Sequence, residues 1–337
     1  MKFLVVGIGS MGERRIRNLT RLNLGPIAGF DLREDRRTEA AKRYGVAAYD
    51  DLTVALDDYR PEAVIVSTPP NKHMEIAGMV LERGMHVFCE VGTTAGGMRE
   101  VFDLAERKGL VAAASCTMRF HPSVKKMKAL IDAGAIGRVL AYTHQCGQYL
   151  PDWHKHEDYR AFYVSQVETS ACREMVVFEL TWLNWLVGGS VDLVTAMHGK
   201  VTDLECEVDD VYQLLLRYRG GALCHLMIDV AARAAVRSTR VLGSDGTLEW
   251  YAQSKVLRHF DAQAQAWTEY PEPEAVVQPG YSETSIEGMY IEEMDAFAKA
   301  CRREAPFPNS FADDLNVLET LSAAETAFST QSHRKLG

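Results

Sequence analysis

At 337 residues the chain is long enough to bury a large core and to fold as two domains. Its 46 acidic and 37 basic side chains leave a formal charge of −9, which argues against nucleic acid or an anionic membrane surface as the main partner. Seven scattered cysteines, odd in number and without a CxxC pair, point to reduced thiols in a cytoplasm rather than a disulfide framework or a zinc site. No apolar run reaches membrane length, and a chain opening directly on strand residues is expected to lack a secretion signal.

The first elements alternate strand and helix patterns. Met1 to Val6 reads as a strand, Glu13 to Leu22 as a helix, and Pro26 to Phe30 as a second strand. Arg36–Tyr44 is amphipathic, a short segment Ala47–Tyr49 leads into Leu52–Tyr59, and Ala63–Ser67 is the continuous apolar run of a strand buried on both faces. Pro69 and Pro70 stop it. A helix over Lys72–Glu82, a strand over His86–Cys89, a helix over Met98–Lys108 and a strand over Val111–Ser115 complete a doubly wound parallel sheet of the Rossmann type. Beyond it the pattern changes to alternation: Gly137–Tyr149, Asp192–His198, Val208–Tyr218, Ala222–Val230, Arg237–Leu242 and Thr247–Trp250 predict an open, largely antiparallel sheet. Helices are expected over Arg173–Val187, Met289–Arg302 and Asp313–Phe328. The predicted fold is therefore α/β, with a dinucleotide domain over 1–120 and an α+β substrate-binding and oligomerisation domain over 121–337, its last helix packing back on the first.

The strongest motif is Gly7-Ile8-Gly9-Ser10-Met11-Gly12, set between the first strand and first helix. Gly7 permits the tight turn, Gly9 lets backbone approach a pyrophosphate, and Gly12 lets helix pack on strand. The helix N-terminus offers N–H groups and a positive dipole end to phosphate. Asp31, closing the second strand, is placed to accept from a ribose diol and to repel a 2′-phosphate. NAD is thereby favoured over NADP, a preference that Arg33 tempers.

A nucleotide domain joined to such a sheet resembles the glucose–fructose oxidoreductase / inositol dehydrogenase (Gfo/Idh/MocA) family over essentially the whole chain. The resemblance rests on Gly7–Gly12, on Ser67-Thr68-Pro69-Pro70-Asn71-Lys72-His73, on Arg119-Phe120-His121-Pro122, on the run Leu130 to Val139, and on Gly243 to Trp250. It implies that Ser67, Thr68, Pro69, His73, Glu90 and Val91 line the cofactor. It further implies action on a carbon-bound hydroxyl of a sugar, polyol or sugar nucleotide, and assembly through the sheet as a homodimer or homotetramer. Two departures stand out. Where the family shows Glu-Lys-Pro this chain has Glu90-Val91-Gly92, and where the family's helix carries histidine and aspartate it has Phe178 and Thr181, Glu174 keeping the first carboxylate. General acid–base help is worth about 10²–10⁴-fold, or roughly 3–5 kcal/mol of barrier.

Other groups are candidates to carry the proton. The segment Tyr149–Arg160 is dense in ionisable and aromatic residues; His154 and His156 titrate near neutrality, and Tyr159, Arg160 and Tyr163 suit hydroxyls or phosphates. A solvated loop or an oligomer contact is the structural alternative. Glu179 interrupts an apolar helix face, so that it needs a partner or a raised pKa; it is either an acid–base residue or half of a buried ion pair. Arg173 and Glu174 open that helix, either as an anion-binding arginine with a site carboxylate or as a surface pair. No metal is expected. The sequence thus predicts an NAD-dependent oxidoreductase with a non-standard proton relay, acting on a small polar, sugar-like substrate, neutral or anionic. The alternatives are a redox-neutral NAD-using epimerase, isomerase or lyase, and a cofactor-binding protein without catalysis.

Overall fold

The computed structural model describes residues 1–153, 158–161, 163–274 and 286–332, with the backbone of 334–335. The chain divides into two compact units, 1–117 joined by 289–315, and 118–288 joined by 316–337.

The first unit holds six parallel strands, β1 (Phe3–Val6), β2 (Ile27–Phe30), β3 (Ala47–Tyr49), β4 (Ala63–Val66), β5 (His86–Cys89) and β6 (Ala112–Ala114). Their order is β3-β2-β1-β4-β5-β6, so direction reverses between β1 and β4. Phe3–Val6 and Ala63–Val66 are buried at every residue, as strands covered by helices on both faces must be. Register is direct: Val6 pairs with Phe30 on one side and Val66 on the other. This aligns the carboxyl ends of β1, β2 and β4, where ligands of doubly wound sheets bind. The helix Glu287–Cys301 contributes Met294, Phe297, Ala298 and Cys301 to the same core as Phe3, Val5, Ile65 and Phe88.

The second unit is built on a nine-stranded sheet. Its strands are β7 (Val139–Gly147), β8 (Val191–Gly199), β9 (Val211–Tyr218), β10 (Leu223–Asp229), β11 (Val236–Gly243), β12 (Gly246–Tyr251), β13 (Val256–Asp261), β14 (Ala266–Pro271) and the short β15 (Arg334–Lys335). Their order is β14-β13-β12-β11-β7-β10-β9-β8-β15. All pairs are antiparallel except β7 with β10, where Leu223–Asp229 runs beside Ala141–Gly147 in the same direction. Alternation puts Tyr142, His144 and Cys146 inward on β7, and Tyr212, Leu214, Leu216 and Tyr218 inward on β9. Trp182 of the helix Ala171–Val187 and Trp250 of β12 meet edge to face at 6.1 Å in this core. The other face leaves Met197, Leu215 and Leu223 exposed.

β13 and β14 extend the sheet beyond the strands expected from the sequence. β14 is exposed along almost its whole length, so it lacks the apolar face by which a strand is read. Among the described residues no helix is long and apolar enough to cross a membrane. All seven cysteines are buried and free.

Candidate active site

The glycine turn is shaped by contact. Gly7 lies at φ +87°, and a Cβ there would stand 2.7 Å from the Ser67 carbonyl oxygen. A Cβ on Gly12 would stand 1.9 Å from the Gly7 carbonyl oxygen, so a side chain at 12 would force the helix off the strand. Gly9 is different: a Cβ there would meet only the tip of Arg36, at 3.3 Å. Two glycines therefore close the turn and one leaves its outer surface bare. The helix Ser10–Leu22 starts on Gly9, which brings no capping side chain, and so presents its first turn to an anion. These features fit a pyrophosphate.

Asp31 is buried at the end of β2. Its Oδ2 accepts from Ile8 N at 2.7 Å and its Oδ1 from Arg33 N at 2.9 Å, fixing the carboxylate against the turn. The cation beside it is Arg36, whose Nη1 lies 3.5 Å from Oδ2. Arg33 instead directs its guanidinium onto Asp35, with contacts of 3.1 and 2.5 Å. Arg37 donates to the carbonyls of Asp31 and Leu32, both at 2.9 Å. Sequence reading missed Arg36 because three arginines in five residues look alike until the helix Glu34–Tyr44 sets their faces.

Ser67, Thr68 and Pro69 follow β4, and Glu90 and Val91 follow β5, so these residues meet at one sheet edge. His73 Nε2 donates to the Thr68 carbonyl oxygen at 2.9 Å, which assigns the proton to Nε2. Burial holds the His73 pKa below its ordinary value, so the ring is neutral. Thr68 Oγ1 and Thr93 Oγ1 are buried with no hydrogen-bond partner among the described residues. Buried hydroxyls normally find one, and a bound ligand would supply it. A cleft here is walled by Pro70, His73, Cys89, Glu90 and Asp314. Val91, at the family's lysine position, is buried.

Glu90 is gripped by Arg15 of the first helix: Nε donates to Oε1 at 2.6 Å and Nη2 to Oε2 at 2.9 Å. Arg15 Nη1 lies 2.9 Å from Glu293 Oε2. Glu293 accepts in addition from Cys116 N at 2.6 Å, Ser115 Oγ at 3.1 Å and Thr117 Oγ1 at 2.7 Å. Neither Arg15 nor Glu293 was singled out in the sequence, because residues so far apart in the chain leave no local spacing to read.

In the second unit Glu179 is fully buried. Its Oε1 accepts from Arg237 Nε at 3.1 Å and Nη2 at 2.7 Å, and its Oε2 from Trp182 Nε1 at 2.7 Å. His144 Nε2 lies 3.1 Å from Oε2, while its Nδ1 bonds Thr239 Oγ1 at 2.8 Å. Burial alone would push the Glu179 carboxyl up, but Arg237 and then His144 and Trp182 outweigh it and hold it at about 2. Of the two ways to bury a carboxylate, this chain has taken the partner. The Arg237 guanidinium sits 5.7 Å from the Phe178 ring, and its side chain is 16% exposed. His121 lies close by; burial, Arg237 and Lys125 push it down to about 3, and its Nδ1 accepts from Ser123 N at 3.3 Å.

Glu174 and Phe178 are half-buried on the same helix, whereas Thr181 is buried with its hydroxyl bonded to the Val177 carbonyl at 2.8 Å. Arg173 is engaged by Glu325, through Nε at 2.8 Å and Nη2 at 3.3 Å, and by the Glu168 carbonyl at 2.6 Å. Its partner is thus a late helix rather than Glu174. Arg160 binds Asp158 and Glu205, and Tyr159 OH accepts from Glu205 N at 3.0 Å, so this part of the expected pocket loop is pinned to the turn before β9. Tyr163 is half-buried in a short helical turn. His154, Lys155, His156 and Glu157 lie outside the described residues.

Residues 1–115 match the family model described as an oxidoreductase family with an NAD-binding Rossmann fold, and residues 124–249 match the GFO/IDH/MocA C-terminal domain. Levoglucosan dehydrogenase of Pseudarthrobacter phenanthrenivorans is 34% identical over 118 residues, a match covering 34% of this chain and 30% of that protein. Myo-inositol 2-dehydrogenase of Thermotoga maritima is 26% identical over 261 residues, 74% of each. Among solved structures, a levoglucosan dehydrogenase in complex with NADH superposes with a TM-score of 0.87 at 21% identity, covering 100% of this chain and 99% of that one; the likeness is one of fold.

Proposed function

The chain belongs to the Gfo/Idh/MocA oxidoreductase family and carries that family's NAD-binding Rossmann domain, and from this we propose that it is an NAD-dependent dehydrogenase of a sugar-like alcohol. The observation that carries the reading is the turn itself: Gly7 and Gly12 in positions no side chain tolerates, a bare Gly9, and a buried Asp31 fixed at the end of β2. Gly7, Ile8, Gly9, Ser10, Met11 and Gly12 would hold the pyrophosphate, and Asp31 the ribose. Ser67, Thr68, Pro69, His73, Glu90 and Val91 would line the nicotinamide half, with the Thr68 hydroxyl available to it. Bound there, the cofactor supplies two-electron oxidation of a carbon-bound hydroxyl. NAD is preferred to NADP because Arg33 and Arg37 are engaged elsewhere and Arg36 faces a carboxylate.

Val91 and Phe178 cannot carry a proton, so the relay differs from that of relatives with lysine and histidine there. Glu174 and Tyr163 remain candidates to orient the substrate. Glu179 acts through Arg237: the buried carboxylate fixes the guanidinium, and the partly exposed cation suits an anionic group on the substrate. The substrate class that fits is a polyol or sugar bearing a carboxylate or phosphate. The exposed Met197, Leu215 and Leu223 on the open sheet face support a homo-oligomer, and seven free thiols support a reducing, cytoplasmic setting.

The test is calorimetric titration with NADH and NADPH, followed by reduction of NAD⁺ on a panel of myo-inositol, levoglucosan, aldoses and the corresponding sugar acids. Tighter binding of NADH and turnover of at least one alcohol are expected. No binding of either nucleotide would sink the reading.

A further inference from the structure

The network around Arg15 does something the fold alone does not need. Two carboxylates, Glu90 and Glu293, share one guanidinium, and both Arg15 and Glu293 are completely buried. A structural ion pair needs one of each sign; these three groups together sum to one negative charge, and Arg14, buried on the same helix, is a further cation beside them. Only Glu90 reaches the cleft. It stands at the carboxyl end of β5, on the side of the β1/β4 reversal away from Asp31. A dinucleotide laid across that reversal with its adenosine ribose on Asp31 brings its other half to this side.

We propose that Glu90, Arg15 and Glu293 form one proton-accepting unit whose protonation follows the charge of the nicotinamide. The proposal rests on the dehydrogenase reading above. An oxidised nicotinamide ring is cationic and a reduced one is neutral. A cation beside the unit lowers its proton affinity, and the loss of that cation raises it. Oxidation of the substrate alcohol breaks its C–H and O–H bonds: the bound cofactor would supply the two-electron acceptor for the carbon's hydrogen, and the hydroxyl proton would end on a carboxylate oxygen of the unit. Ser67 Oγ, 3.4 Å from Glu90 Oε1, is the hydroxyl through which it enters. Neither lysine nor histidine is then required.

The surroundings leave the unit as the group that responds. Arg14, on the same helix, stacks on the Tyr290 ring at 4.0 Å, and that ring is 5.5 Å from Arg15. Burial keeps Tyr290 and Cys89 protonated and His73 neutral. Asp314 faces Cys89. Ser115, Thr117 and the Cys116 amide hold Glu293. Burial, then Glu90, raises the Glu293 pKa against the pull of Arg15, the direction a proton acceptor requires.

The proposal is tested without any substrate. The full chain is titrated with NADH and with NAD⁺ by calorimetry, each in two buffers of different ionisation heat, between about pH 5 and 8. NADH binding is expected to take up more protons than NAD⁺ binding. The NADH-to-NAD⁺ affinity ratio should rise as pH falls, by at most about tenfold per pH unit for one linked proton. Glu293→Gln should still bind NADH and lose the difference, and Glu90→Gln serves as the second variant. Equal proton numbers for the two forms in the wild-type chain, or a difference that survives in both variants, overturns the proposal and leaves cofactor binding intact. No binding of either form overturns the dehydrogenase reading itself.

Discussion

Replacing Arg237 by methionine removes the cation from Glu179 while keeping a side chain of similar length. In the native protein the Glu179 carboxyl is held at about 2, against an ordinary value of 4.5. At about 1.4 kcal/mol per unit, this is about 3 kcal/mol of stability for a fully buried group. The sign follows from the depressed value: the contribution is complete above the unfolded pKa and is lost as pH falls through the folded one. Without Arg237, burial is opposed chiefly by His144 and Trp182, and the folded pKa moves upward. Arg237→Met is therefore expected to destabilise by about 3–5 kcal/mol near neutrality, the usual cost of orphaning a buried charge. For a unit of this size that lowers Tm by about 6–20 °C. Thermal melts at several pH values provide the assay. The deficit should shrink towards acid pH, and Glu179→Gln added to Arg237→Met should recover most of it. A deficit as large at about pH 3 as at about pH 8, or a double variant no better than the single one, would refute the argument that the arginine is there to hold the carboxylate.

Gly12→Ala should abolish NADH binding and lower Tm, because its Cβ falls 1.9 Å from the Gly7 carbonyl; calorimetry and a melt read both effects. Asp31→Asn should weaken NADH binding and narrow the gap to NADPH by about tenfold or more, at about 1.4 kcal/mol per decade, since Arg36 is then without its carboxylate. Arg173→Gln breaks the bond to Glu325, and turnover of an anionic substrate should change by less than about threefold while stability falls by about 1 kcal/mol. A loss of more than about a hundredfold in kcat/KM would return Arg173 to the substrate.

What could be read from the sequence was local. The glycine turn was legible because backbone sterics at Gly7 and Gly12 admit no substitute, and β1 and β4 because burial on both faces demands unbroken apolar runs. The grip of Arg15 on Glu90 and Glu293 was not, since the partners come from three elements remote in the chain. Glu179 showed as a buried carboxylate in need of a partner, but only β11 beside β7 shows that the partner is Arg237. Phe178 and Val91 were visible as departures, and no local pattern could say which group answers them.

The dinucleotide-binding unit is not finished when its first 117 residues have been made. Phe88 on β5 is covered by Phe297 at 5.6 Å and Phe307 at 6.0 Å. β6 is bridged by Ser310, and Asn309 donates to the Ala114 carbonyl at 3.1 Å. During translation these partners follow the strands they cover by on the order of tens of seconds. Throughout that interval the nascent chain shows an apolar flank and an open sheet edge, the surfaces that chaperones hold and that aggregation exploits. Ribosome-bound or truncated chains ending near residue 117 would thus be clients of that machinery, and the unit can be completed only once residues 289–315 have been made.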